Sequence, residues 1–149
     1  MKKMNKLQMV KFLWAYFVIF IVLLFGINCY LSSIRQTDQD LLSQSMDSLP
    51  SWIIPAFYLI GLILVFLCHY LPKISFQKTK GKPFAERYFA ASIFRYALIE
   101  FLALLGFIIN FLSGTYIKGL GFFLVALALY LNHFPSAKKI ELAEINDKI

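Results

Sequence analysis

The sequence predicts an all-α polytopic membrane protein with four transmembrane helices in one antiparallel bundle and both termini in the cytoplasm. Three observations predict it. Hydrophobic residues make up 60% of the chain and charged residues 15%, against about 45–50% and about 25% in a soluble domain. A 149-residue chain has too much surface for its volume to hide that excess from water, so apolar residues must face lipid. Apolar runs recur at about the 20 residues that a helix needs, at 1.5 Å per residue, to cross roughly 30 Å of hydrocarbon. Finally, the cations fall on one side of the runs. Lys2, Lys3, Lys6, Lys11, Lys73, Lys78, Lys80, Lys82, Arg87, Lys138, Lys139 and Lys148 lie on one side, twelve against the two, Arg35 and Lys118, on the other. By the positive-inside rule the twelve are cytoplasmic.

The first span is expected over residues 12–31, a stretch without a charged residue. Its basic prelude imitates a signal peptide, but the run is too long for an h-region and no small-x-small cleavage site follows. Asn28 before Cys29 also fails the small-residue requirement of a lipoprotein site, so an uncleaved anchor is expected. Residues 32–51 form a polar outer loop in which Ile34, Leu41, Leu42, Met46 and Leu49 are spaced as in a short amphipathic surface helix.

The second span is expected over residues 52–71, opened by the interfacial aromatic Trp52 and stopped by Pro72. A basic cytoplasmic loop, 72–89, follows, where Gly81 and Pro83 argue against continuous helix. The third span, 90–112, is interrupted by Arg95 and Glu100. The fourth, 117–134, is short, so Lys118 is expected to snorkel outward and Pro135 to end it. The tail, 135–149, alternates charged and apolar residues as a weak surface helix does. The chain reads as a single membrane domain, and with no internal repeat an inverted-repeat transporter gets no support. Cys29 and Cys68 fall near opposite ends of the bilayer in this topology, too far apart for a disulfide.

The formal net charge of +7 does not point to nucleic acid, because the cations flank apolar runs, where they meet anionic headgroups. Lys73, Lys78, Lys80, Lys82 and Arg87 are therefore the expected contacts for lipid headgroups or an acidic partner. No complete catalytic, metal or nucleotide motif is present, so a non-enzymatic role without a cofactor is expected.

Glu100 is the candidate site. It lies about 10 Å below the cytoplasmic end of span three by the helical rise, where an acid costs about 2.5–3.5 kcal/mol on insertion scales and marks a functional position by default. Ser92, Tyr96, Glu100, Ala103 and Asn110 share one helix face, a polar and small stripe expected to turn into the bundle. Tyr96, one turn before Glu100, is placed to hydrogen-bond it. Arg95 points well round the helix. Two readings stand: packing glue between helices, or a proton- or ion-binding carboxylate. His69 and His133 end spans two and four at one level, as interfacial residues, as a relay to Glu100, or as axial ligands of a haem.

The segment Ala97-Leu98-Ile99-Glu100-Phe101-Leu102-Ala103-Leu104-Leu105-Gly106 resembles the carboxylate helix of the rotary ATPase proteolipids, the subunit c family. The resemblance covers about ten residues and implies that Glu100 binds an ion. It departs from that family in span two, which has only Gly61 and bulky Phe57, Phe66 and Leu67 where the family's partner helix is glycine-rich. The overall plan also resembles small four-helix bacterial membrane proteins to which no activity attaches. The expected role is an accessory or assembly subunit in a bacterial cytoplasmic (inner) membrane, with the bilayer and a membrane-protein partner or a second copy as contacts. The alternatives are an ion- or proton-coupled transport component using Glu100 and a haem-bearing redox anchor using His69 and His133.

Overall fold

The computed structural model describes residues 6–37, 50–79, 81–113 and 117–136. The surface helices expected in the outer loop and in the tail fall outside them. Among the described residues there are four helices, α1 (Lys6–Thr37), α2 (Ile53–Lys78), α3 (Phe84–Ser113) and α4 (Ile117–Asn132), and no strand. In α1, α2 and α3 the apolar stretches Gln8–Ile34, Ile53–Lys78 and Phe84–Ser113 are long and apolar enough to cross a membrane. With only 16 residues, α4 rises about 24 Å, short of a hydrocarbon core of about 30 Å.

The helices α1, α2 and α3 extend beyond the apolar runs, whereas α4 ends at Asn132, before the expected end of its run at 134. The largest departure from expectation is at Pro72, which does not stop α2: the helix passes through it to Lys78. Proline costs a helix the N–H bond to the carbonyl four residues back, yet Pro72 is buried within the helix, which continues past it. The α2 helix stops at Thr79, whose Oγ1 donates to the carbonyls of Ser75 (3.0 Å) and Phe76 (3.2 Å). Arg87 closes the turn, donating from Nε (3.1 Å) and Nη2 (3.0 Å) to the Phe76 carbonyl. The basic loop thus shrinks to a tight connection between α2 and α3, with Pro83 accepting the first backbone bonds of α3.

The helix α3 is central and packs against all three others, while α1 also touches α4. In α1 and α2 only 11% of the apolar window is buried, against 39% in α3, so the core is built on α3 and the outer faces of α1 and α2 are left apolar and open. Phe12, Tyr16 and Leu23 on α1, and Leu59, Leu62 and Phe66 on α2, are among the exposed side chains. A close backbone approach joins α3 to α4 at two glycines. A Cβ at Gly106 would stand 2.8 Å from the Gly119 carbonyl oxygen, nearer than real side chains come, so this crossing exists because both positions lack a side chain. The Gly119 N–H, one of the donors that a helix start leaves without an intrahelical partner, is accepted by Oδ1 of Asn110. Asn110 therefore caps α4 from α3.

Candidate functional site

The polar stripe of α3 turns inward. Ser92, Tyr96, Ala103 and Asn110 are buried and Glu100 is half-buried. The Ser92 hydroxyl donates back to the Tyr88 carbonyl at 2.8 Å, so its polarity is met within the helix.

Around Glu100 the partner is Tyr130 of α4, and sequence reasoning missed it. The Tyr130 hydroxyl lies 3.1 Å from the Tyr96 carbonyl and 3.4 Å from Oε1 of Glu100. One phenol proton faces two acceptors, and the contact with Glu100 is longer than the usual range of about 2.5–3.0 Å for O–H···O, so the backbone bond is the firmer of the two. Glu100 Oε2 is buried with no hydrogen-bond partner among the described residues. Tyr96 does not reach Glu100. Its hydroxyl runs toward the His133 carbonyl, 3.4 Å away. Helical side chains lean toward the N-terminus of their helix, which carries the Tyr96 phenol away from Glu100 and brings the Glu100 carboxyl back toward the Tyr96 backbone.

Tyr130 is held from a third side. Trp14 on α1 donates its indole N–H to the Tyr130 carbonyl at 3.0 Å. The Tyr96 and Tyr130 rings stack at 5.5 Å, Phe17 of α1 lies 6.0 and 6.4 Å from them, and Trp14 meets Phe134 edge-on at 4.9 Å. Glu100 is thus the acidic member of an aromatic joint between α1, α3 and α4. A sequence signal existed only in the coincidence of Trp14 and Phe17 on one helix with tyrosines on two others.

Arg95 is partly buried, with Nε lacking a partner among the described residues, and its carbonyl accepts a 3.8 Å contact from the Cys68 thiol. Cys29 and Cys68 are both free thiols. His69 and His133 line one cleft of about 640 Å³ between α2 and α4, together with Cys68 and apolar side chains. Among the described residues no three metal-ligating side chains come together.

The basic residues divide. Lys73, Lys78 and Lys82 are exposed, and Lys80 falls outside the described residues. Arg87, grouped with them by sequence, is only 5% exposed, with its guanidinium 4.1 Å from the centre of the Phe76 ring. Its charge meets the carbonyl end of α2, where a cation is favoured, instead of pointing outward toward headgroups.

Fold and site define a class: a helical protein with three helices long and apolar enough to cross a membrane, organised on a central helix that carries one inward carboxyl. No protein-family model, curated protein or solved structure matches the chain.

Proposed function

We propose that the chain is a four-span integral membrane protein of the bacterial cytoplasmic membrane, antiparallel, with both ends cytoplasmic and the short α4 completing its crossing by local thinning of the bilayer and snorkelling of Lys118, and that it acts as an accessory or assembly subunit of a membrane complex. The order of contacts supports the antiparallel course of α3 and α4: Gly106 meets Gly119, Glu100 meets Tyr130, and Tyr96 meets the His133 carbonyl. The observation that carries the role is the use made of the inward polar groups. Trp14 donates to the Tyr130 carbonyl, Tyr130 to that of Tyr96, Tyr96 to that of His133, and Gly119 to Asn110. These bonds tie α1, α3 and the α4 end of the chain into one joint, and the open apolar faces on α1 and α2 are left available to lipid and to a partner's helices. Purification from native membranes in mild detergent tests this. A stoichiometric membrane-protein partner is expected, and a chain that emerges alone, or only with lipid, under conditions that preserve other complexes would refute it.

A second reading, an ion- or proton-coupled transport component, rests on the orphaned Oε2 of Glu100. A buried acceptor without a donor carries a desolvation cost of about 1–3 kcal/mol, and a site that takes up a proton or cation intermittently provides a reason to retain it. The Glu100 substitutions argued in the Discussion separate the two readings.

A further inference from the structure

The facing sides of α2 and α4 touch at one end, where the Phe122 ring covers Gly61, the Tyr58 and Phe122 rings lie 5.1 Å apart, and the Tyr58 hydroxyl donates to the Lys118 carbonyl at 2.6 Å. Farther along α2 they flank the 640 Å³ cleft, lined by Leu62, Val65, Phe66 and His69 from α2 and by Leu129 and His133 from the far side. Its volume is within the range of about 300–1,000 Å³ typical of small-molecule sites. Buried Cys68 lines it too, with its thiol turned to the Arg95 carbonyl.

The cleft is chemically one-ended. From Leu62 to His69 it runs along two turns of apolar helix, about 11 Å, and its imidazoles are gathered at the His69 end. One turn beyond His69 stands Lys73, with Nζ 6.0 Å from the centre of the Tyr70 ring, itself part of the lining. Imidazole offers an N–H donor in either protonation state and lysine adds a full positive charge. A hydrocarbon trough ending in donors and a cation is complementary to an anionic amphiphile. We infer that the cleft holds an acyl chain of an anionic phospholipid, with its phosphate met by Lys73 and His69. This rests on the reading of the helices as spans, since the bilayer supplies the occupant, and it goes further by assigning one seat with a headgroup preference.

Fluorescence quenching by brominated lipids tests it on the whole protein in bilayers. In a Trp14→Phe, Trp52→Phe background, which removes both native indoles, Phe66→Trp places a single reporter in the cleft, replacing an exposed ring that stacks on Tyr70 at 4.5 Å. Phe20→Trp, on the exposed face of α1, reports general lipid contact. The cleft reporter is expected to be half-quenched at an about fivefold lower mole fraction of brominated phosphatidylglycerol than of brominated phosphatidylcholine, the ratio that one cation gives at a charged surface. The α1 reporter should respond alike to both, and His69→Gln with Lys73→Gln should equalise the two lipids at the cleft. Equal quenching at the cleft with these residues intact, or a preference that survives the double substitution, overturns the inference while leaving the spans standing. Both reporters shielded from both lipids would overturn the spans and the inference together. A Soret absorption band in the purified protein would assign the cleft to haem and also overturn it.

Discussion

The hydroxyl of Tyr130 stands 3.1 Å from the backbone carbonyl of Tyr96 and 3.4 Å from Oε1 of Glu100, so one proton on α4 secures the backbone of α3 beside its single deep carboxyl. Phenylalanine at position 130 keeps the ring stack and removes that donor. Tyr130→Phe is expected to lower stability in detergent by about 0.6 kcal/mol, the average for interhelical hydrogen bonds in membranes, and by no more than about 1.7 kcal/mol, their maximum. Tyr96→Phe, which loses only a 3.4 Å contact, should cost less. Thermal unfolding of both variants ranks them, and the opposite order would mean that the Tyr96–His133 contact is the firmer tie.

The α3–α4 crossing gives a sign test. Alanine in place of a helical glycine ordinarily stabilises by roughly 0.5–1 kcal/mol. Gly26→Ala should show this, because a Cβ there meets nothing within 4 Å. Gly106→Ala should destabilise, because its Cβ would press on the Gly119 carbonyl and on Phe122 Cβ, both at 2.8 Å. If both alanines shift the unfolding temperature upward, the helices are not held at this distance.

Arg87 and the neighbouring lysines should separate in their effects. Arg87→Gln removes a bidentate cation from the carbonyl end of α2 and from the Phe76 ring, and hydrogen bonds to charged groups are worth about 1.5–3 kcal/mol. Neutralising Lys78 and Lys82, both exposed, should leave stability within about 0.5 kcal/mol. Chemical unfolding in detergent decides this, and equal losses would return Arg87 to the surface group.

Orientation is open to cysteine labelling in a Cys29→Ser, Cys68→Ala background. Under the proposed four-span course, which puts twelve cations on one side and two on the other, a cysteine at position 39 should react with a membrane-impermeant reagent in intact cells, and one at position 80 only after lysis. The reverse pattern would invert the topology.

How much of this was legible in the sequence follows from the kind of signal each feature leaves. The inward face of α3 was, because Ser92, Tyr96, Glu100, Ala103 and Asn110 repeat at helical spacing within an otherwise apolar run, and a period survives whatever the helix packs on. Tyr130 was not, because pairing between helices leaves no period in either of them, and a tyrosine among leucines and alanines reads equally well as an interfacial residue. Pro72 misled because its local penalty is fixed, while whether a helix continues past it is decided by the tertiary surroundings. Arg87 misled for a related reason: its charge counts toward orientation wherever the side chain points, and only the fold turns it onto the Phe76 carbonyl.

Glu100 is the position at which the two functional readings divide. Its carboxyl is half-buried, with Oε1 near the Tyr130 hydroxyl and Oε2 without a partner among the described residues. An amide of the same shape keeps an acceptor for Tyr130 and cannot exchange a proton near neutral pH, whereas leucine keeps the bulk and loses the acceptor. If Glu100 only fastens α3 to α4, Glu100→Gln should assemble and function as the native chain does. In that case Glu100→Leu should cost about 0.6–2 kcal/mol of helix association, tempered because leucine also relieves the orphaned Oε2 of its desolvation. If Glu100 carries a proton or cation, Glu100→Gln should assemble normally and lose activity. Detergent stability and growth or flux complementation, measured on the same variants, read the two axes independently. A stable and active Gln variant eliminates transport through this carboxyl, and a stable, inactive one eliminates the purely structural role. A Leu variant as stable and active as the native chain would remove both, and would leave the Tyr130 to Tyr96 backbone bond as the tie that matters at this joint.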